Sequence, residues 1–253
     1  MPARMNGQAR FAGNGLYEST DLIKTMAAVV QSIVEGSLFS LHAGTDGSER
    51  RENGLNLYLI RHGETSLNRE KRLQGRSNEP LSDTGIGQAE KVRSFFEKQA
   101  VRFDCVFSSP LLRARQTAEI VTGCTGIMLD ERLLEMDYGP YEGMSLEHPL
   151  PEVAHFFQDF VHHPAPEGME SLGKVTERMR SFLEEIKACD AQNILVATHA
   201  IALKGALEAL SPSQEGAWWS VYISPCAVYH TVCSNQNYSE PLRVFSLSRA
   251  AGV

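Results

Sequence analysis

Two histidines in this chain follow apolar runs, and each is placed to meet an anion. Leu57-Tyr58-Leu59-Ile60 leads into Arg61-His62-Gly63, and Ile194-Leu195-Val196-Ala197 leads into Thr198-His199. A third apolar run, Phe103 to Phe107, ends in Ser108-Ser109 with Arg113 shortly after. An imidazole beside a permanent positive charge suits attack on an anionic centre, and Gly63 allows a sharp turn or a close approach of backbone to ligand. A histidine near a turn is more often a structural hydrogen bonder, so Arg-His-Gly alone decides little. The three run ends together carry more weight.

These residues need elements to hold them. The pattern predicts strands over Leu55–Ile60, Phe103–Ser108, Ile127–Leu129, Asn193–Thr198, Ala227–Cys233 and Arg243–Leu247. It predicts helices over Thr84–Gln99, Pro110–Thr122, Pro151–Val161, Ser171–Ala188 and Ala200–Leu210. Strands alternating with helices imply an α/β domain with a mainly parallel sheet. Ligands of open α/β sheets bind in the crevice at the carboxyl ends of the strands. If the three reactive runs are parallel neighbours, His62, Arg113 and His199 meet in one pocket; the sequence does not give the strand order.

Composition narrows the partners. The net charge of −7 argues against a general electrostatic grip on nucleic acid or an anionic membrane. Any anion site must be local, built from a few arginines. The five cysteines are scattered and form no C-x-x-C pair, which fits free thiols in a reducing cytoplasm. No run approaches the roughly 18 apolar residues that span a membrane. Met26–Val30 is short and lacks a cleavage signature, so no secretory signal is expected.

Residues 1–54 read as an extension, and 55–253 as the domain. Within the extension, Leu22, Ile23, Met26, Val29, Val30, Ile33 and Val34 form one face of a helix over Asp21–Glu35, with Thr20 as N-cap and Gly36 as its stop. Ala43 to Gly54 is a linker by composition. Such a helix can pack on its own domain, cap the site, or pair copies into a homo-oligomer.

Several separated motifs occur together in one order. They are Leu59-Ile60-Arg61-His62-Gly63-Glu64-Thr65 with Asn68; Gln74-Gly75, Pro80-Leu81-Ser82 and Gly85; Ser108-Ser109-Pro110-Leu111-Leu112-Arg113-Ala114 with Thr117-Ala118; Leu134-Glu135 with Gly139 and Tyr141-Glu142-Gly143; and Val196-Ala197-Thr198-His199. In these the chain resembles the histidine phosphatase superfamily, also called phosphoglycerate mutase-like, from about Leu55 to Leu247. The resemblance implies a three-layer α/β fold with a mainly parallel central sheet and helices on both faces. It implies a phosphomonoester hydrolase without metal or cofactor, acting on a small phosphorylated metabolite. His62 would be the nucleophile that becomes a phosphohistidine, and Glu135 the proton donor and acceptor. Arg61, Arg113 and His199 would bind the phosphoryl oxygens, with Asn68 and Gln74 on the substrate side.

Physics supports such a set. Phosphoryl transfer is mostly positioning and charge stabilisation. Two unit charges 4 Å apart attract by about 4 kcal/mol at an effective dielectric near 20, so two arginines and a histidine can hold a dianion. His62 would have to present an unprotonated ring nitrogen while an acceptor, not identifiable from sequence, fixes the other. A bound dianion would help Glu135 keep its proton. Glu142 is the next carboxylate, although its neighbours look structural. A metal held by His62, His199 and Glu135 is the rival chemistry, and Arg61 and Arg113 would repel it.

Two departures stand out: Ala200 where a glycine commonly follows the second histidine, and the long extension. The resemblance implies a long insertion between the carboxylate and the second histidine in the family's mutases; with Glu135 and His199 only 64 residues apart, it implies net hydrolysis here. A mutase or bisphosphatase, and a catalytically silent phospho-ligand-binding relative, are the alternatives. The apolar residues from Val153 to Val161 form either the buried face of a helix or a lining for an apolar leaving group.

Overall fold

A computed structural model describes residues 54–212 and 216–247; the expected helix over Asp21–Glu35 lies outside the described residues, as does its linker up to Glu52-Asn53. In chain order the elements are β1 (Leu55–Arg61), α1 (Ser66–Arg69), α2 (Asp83–Lys98), β2 (Cys105–Ser108), α3 (Leu112–Thr122), β3 (Met128–Leu129) and α4 (Pro151–Gln158). Then follow α5 (Leu172–Ile186), β4 (Asn193–Thr198), α6 (Ala200–Leu210), α7 (Ala217–Ser220), β5 (Val228–Ser234), β6 (Asn237–Tyr238) and β7 (Leu242–Phe245). One mixed sheet has the order β3-β2-β4-β1-β5-β6, with β7 also on β5. The half from β3 to β1 is parallel; β5 runs antiparallel to β1 and carries β6 and β7 antiparallel to itself.

β1 explains why its sequence is apolar without alternation: it is covered on both sides. Leu55, Leu57 and Leu59 join the layer of α5 and α6, where Val175, Met179, Phe182 and Ile186 form the buried stripe of α5. Tyr58 and Ile60 face the opposite way, onto Ala89, Val92 and Phe96 of α2 and Ala118 and Val121 of α3. The helices therefore lie on both faces of the sheet.

At two of the bounds that differ from prediction, a side chain has intervened. Asp104 spends its carboxylate on the backbone N–H groups of Gln192 and Asn193, and β2 begins only at Cys105. α4 stops at Gln158 instead of Val161 because Asp159 turns to accept from the N–H groups of Val161 and His162. α3 begins at Leu112, beyond Pro110. Three short elements, α1, α7 and β6, were not expected from the sequence.

The strand order settles the condition on which the pocket depended. β2, β4 and β1 are adjacent, and their carboxyl ends are level: Arg61 pairs with Thr198, and Ser108 with Ala197. The chain leaving β1 then crosses the start of α2 at two glycines. A Cβ on Gly85 would stand 2.1 Å from the Glu64 carbonyl oxygen, and one on Gly63 would stand 2.5 Å from the Gly85 oxygen. Ser82 fastens the crossing, its N–H bonding the Glu64 carbonyl at 2.9 Å while its Oγ caps Gly85.

We therefore expect Gly85→Ala to lower the unfolding free energy by about 1–3 kcal/mol, the usual range for a methyl forced into packed backbone. A urea titration measures it, and an unchanged midpoint would contradict this account of the crossing.

Candidate active site

His62 follows β1, His199 caps α6, and Arg113 stands in the first turn of α3, so each lies at the carboxyl end of one of the three adjacent strands. All three side chains are buried, and the rings of His62 and His199 are 5.1 Å apart at 63°. The Arg113 Nε–H lies between the rings, 3.2 Å from His62 Nε2 and 3.2 Å from His199 Nδ1. A guanidinium nitrogen only donates, so both of these ring nitrogens must be lone pairs. The tautomers follow. His62 carries its proton on Nδ1 and donates it to the Gly63 carbonyl at 2.6 Å. His199 carries its proton on Nε2 and donates it to Ser109 Oγ at 2.8 Å.

Arg113 is itself positioned by backbone. Its terminal nitrogens donate to the carbonyls of Ser77 at 2.6 Å and Gly75 at 2.8 Å. That loop is held from behind by Glu142, whose carboxylate accepts from the N–H groups of Gly75, Arg76 and Ser77. Gly75 is obligatory at this contact: a Cβ would stand 2.6 Å from the Met136 carbonyl oxygen. Thr117 closes the other side, accepting from the Gly63 N–H and donating to the Arg113 carbonyl.

Glu135 lies at the amino end of α6, where helix N–H groups lack intrahelical partners. Its Oε1 accepts from Met136, Ile201 and Ala202, while its Oε2 accepts from Ile201 alone at 3.2 Å. The segment before it is pinned by Arg178, which donates to the Arg132 and Leu134 carbonyls, and by Thr198 Oγ, which donates to the Leu133 carbonyl. Ala200 opens α6 and is absent from the residues at positive φ, so the methyl in place of glycine strains no backbone there.

Arg61 donates to the Ile223 carbonyl, and Asn68 spends its Oδ1 on the Thr65 N–H in a capping box. Gln74 Oε1 accepts from Thr65 Oγ at 2.7 Å. Among the described residues, four buried side-chain polar atoms have no hydrogen-bond partner: Arg61 Nε, Gln74 Nε2, Arg76 Nε and Ser77 Oγ. Folded chains pair almost all such groups, and each left unpaired costs about 1–3 kcal/mol. Here one adjoins His62 and the other three lie on the loop that orients Arg113. The arrangement can receive an anion with many oxygens.

Electrostatics fits that use. Burial first, then Arg113 and Arg61, hold His62 well below the ordinary histidine value of 6.5; burial and Arg113 do the same to His199. Burial draws Arg113 down to about 10, which leaves it charged at neutral pH. Arg113 Nε also occupies the direction from which a metal would meet both imidazoles. Among the described residues no cluster of three or more histidines, cysteines and carboxylates is arranged to hold a metal ion. His230 is part of the fold: it stacks on Tyr58 at 4.5 Å and bonds Asn56. Sequence reasoning named Ser109 only as the end of a reactive run, without a role, and missed Ser77, Arg178 and Tyr138. Tyr138 lies beside the site, its ring carbon Cδ2 2.9 Å from where a Cβ on Gly75 would stand; burial and Glu135 push its phenol up, and its position next to Gly139 was the available signal.

A sequence profile of the histidine phosphatase superfamily (branch 1) matches residues 57–241. A protein of Hydrogenobacter thermophilus named "Putative phosphoserine phosphatase 2" is 36% identical over 149 residues, covering 56% of this chain and 72% of its own. A probable phosphoglycerate mutase GpmB of Escherichia fergusonii is 35% identical over 156 residues, covering 59% of this chain and 71% of its own. Among solved structures, that of an Escherichia coli protein titled "putative alpha-ribazole-5'-P phosphatase" superposes with a TM-score of 0.66 at 26% identity, covering 79% of this chain and 99% of that one.

Two outcomes follow from this geometry. Arg113→Lys keeps a charge but loses the fork that faces two rings and two carbonyls; we expect turnover to fall on the order of 100- to 1000-fold, read from steady-state kinetics. The buried imidazoles also make stability depend on pH. His62 and His199 lie well below 6.5 and burial brings His230 to about 4, so below pH 6.5 the unfolded chain binds more protons than the folded one. Unfolding free energy is therefore fully present above pH 6.5 and falls as pH drops beneath it. The urea midpoint should be lower at pH 5.5 than at 7.5; an equal or higher midpoint would contradict neutral buried rings.

Proposed function

This chain belongs to the histidine phosphatase superfamily, branch 1, and from that premise we propose that it hydrolyses small phosphomonoesters through a phosphohistidine on His62. One observation carries the reading. His62 Nδ1 is committed to the Gly63 carbonyl, so the Nε2 lone pair is turned toward Arg113, where an anion would be held.

The remaining roles follow from the donors. Among the described residues, Arg61 Nε and Gln74 Nε2 have no hydrogen-bond partner. Arg113 and the amide nitrogen of Asn68 supply further hydrogens to the phosphoryl oxygens. His199, neutral in the free protein, takes a proton from solvent on Nδ1 as the dianion enters and displaces the Arg113 Nε–H from that nitrogen, because the anion reverses the effect of Arg113, and gives the proton back to solvent when inorganic phosphate leaves. His62 Nε2 attacks phosphorus, and the bond to the leaving oxygen breaks on the opposite side. Glu135 gives that oxygen a proton; Oε2, with a single N–H partner, is the oxygen with room to carry it. Glu135 then takes a proton from water, the hydroxide oxygen bonds phosphorus, and the phosphorus–nitrogen bond breaks to release inorganic phosphate.

Two guanidinium groups supply the charge that a metal would otherwise bring. The acidic net charge of −7 argues against a nucleic-acid substrate. No helix of the described residues is long and apolar enough to cross a membrane. All five cysteines are free, which supports a reducing, cytoplasmic setting.

Wild-type protein should hydrolyse an aryl phosphate at the same rate with and without EDTA. His62→Ala should reduce that rate to below about one-thousandth. Inhibition by chelation would restore the metal reading. With 3-phosphoglycerate and a bisphosphoglycerate primer, phosphate release should exceed isomerisation, and efficient isomerisation with negligible phosphate would make the protein a mutase.

A further inference from the structure

α6 carries a buried cation that the reaction above leaves unused. Lys204 is 8% exposed. Its Nζ donates to the Trp219 carbonyl at 2.6 Å and lies 4.6 Å from the centre of the Phe160 ring. It forms no ion pair with a carboxylate among the described residues. An ammonium removed from water without a counterion costs several kcal/mol, and a neutral donor could tether Trp219 equally well. Burial draws Lys204 down to about 8, with Glu135 pulling upward and Arg61 pushing down.

Its place in the fold gives the charge a use. Ile201 and Ala202, the residues that hold Glu135, lie less than one turn before Lys204 on α6. Lys204 donates to the Trp219 carbonyl and Arg61 to that of Ile223, so one short strip of backbone carries both cations. Lys204 thus lies less than one turn beyond the helix start that cradles Glu135, the residue that protonates the leaving oxygen. The half-buried Phe160, just beyond the end of α4, packs on it, and the Trp219 ring lies 6.4 Å from that of Phe160. For a substrate group to reach the ammonium, the Phe160 ring must turn aside.

We propose that Lys204 is a specificity-determining residue that recognises a second anionic group, a carboxylate or a phosphoryl, on the alcohol half of the substrate. The proposal deepens the hydrolase reading and rests on it for the direction of the leaving group. It also changes the view of the aromatic stretch from Val153 to Val161. Val153 and Phe156 are core residues, and Phe160 packs over a cation instead of lining an apolar pocket.

Matched ligands test it. O-phosphoserine against phosphoethanolamine isolates a carboxylate; 1,3-propanediol bisphosphate against 3-hydroxypropyl phosphate isolates a phosphoryl. Hydrolysis is followed in wild type, and affinity by calorimetry in the His62→Ala protein, alone and combined with Lys204→Met or Lys204→Arg. We expect at least one anionic ligand to be preferred 10-fold or more over its partner. Lys204→Met should shrink that preference below 3-fold, and Lys204→Arg should retain most of it. No preference in the parent proteins, or a preference that survives Lys204→Met, would overturn the proposal. Circular dichroism checks that each variant folds; if Lys204→Met does not, Lys204→Gln takes its place, and the parent preference alone can still refute the idea. Turnover without preference would sink the subsite and spare the hydrolase reading. A Lys204-dependent preference without turnover would do the reverse.

Discussion

One proton organises this site. The Arg113 Nε–H faces two imidazole nitrogens at equal distance, and because it can only donate, both must accept. That single constraint fixes both tautomers. It turns one ring's proton toward the Gly63 carbonyl and the other's toward Ser109, and it leaves lone pairs facing a permanent cation. The fold exists around this meeting. Adjacent parallel strands bring three chain segments level, two glycines let the β1 exit cross α2, and the loop at residues 74–77 sets the guanidinium.

The charges are arranged so that the cations keep their field. Among the described residues, neither Arg61 nor Arg113 bonds a carboxylate; both are oriented by carbonyls of Ile223, Gly75 and Ser77. A carbonyl steers a guanidinium without neutralising it, whereas a carboxylate would consume the charge that an anion needs. The acids work on backbone. Glu142 gathers the N–H groups of the loop that holds Arg113, and Glu135 gathers those at the start of α6. The rigid charge environment that phosphoryl transfer requires is thus prepared before any ligand arrives.

Much of the fold could be read from residue pattern. β4 and α6 have the predicted bounds, and β1 differs by one residue, because continuous apolar runs and a clean helical period leave little choice. The strand-end residues were legible for the same reason: they stand where an apolar run stops. What was hidden is tertiary. No local signal says that the acceptor for His62 is its neighbour's carbonyl, that Glu142 reaches the backbone of residues 75–77, or that Lys204 lies under Phe160. The short elements α1, α7 and β6 escaped because two to four residues carry no period, and the edges of β2 and α4 shifted where Asp104 and Asp159 captured backbone N–H groups.

Nitrogen-15 NMR of the histidine side chains at neutral pH reads the central interaction directly. In the free protein His62 should show a protonated Nδ1 and a bare Nε2, and His199 the opposite pair, with neither ring cationic. A proton on His62 Nε2, or an imidazolium at either position, would mean that Arg113 does not hold the rings as described and that the proposed nucleophile is not poised.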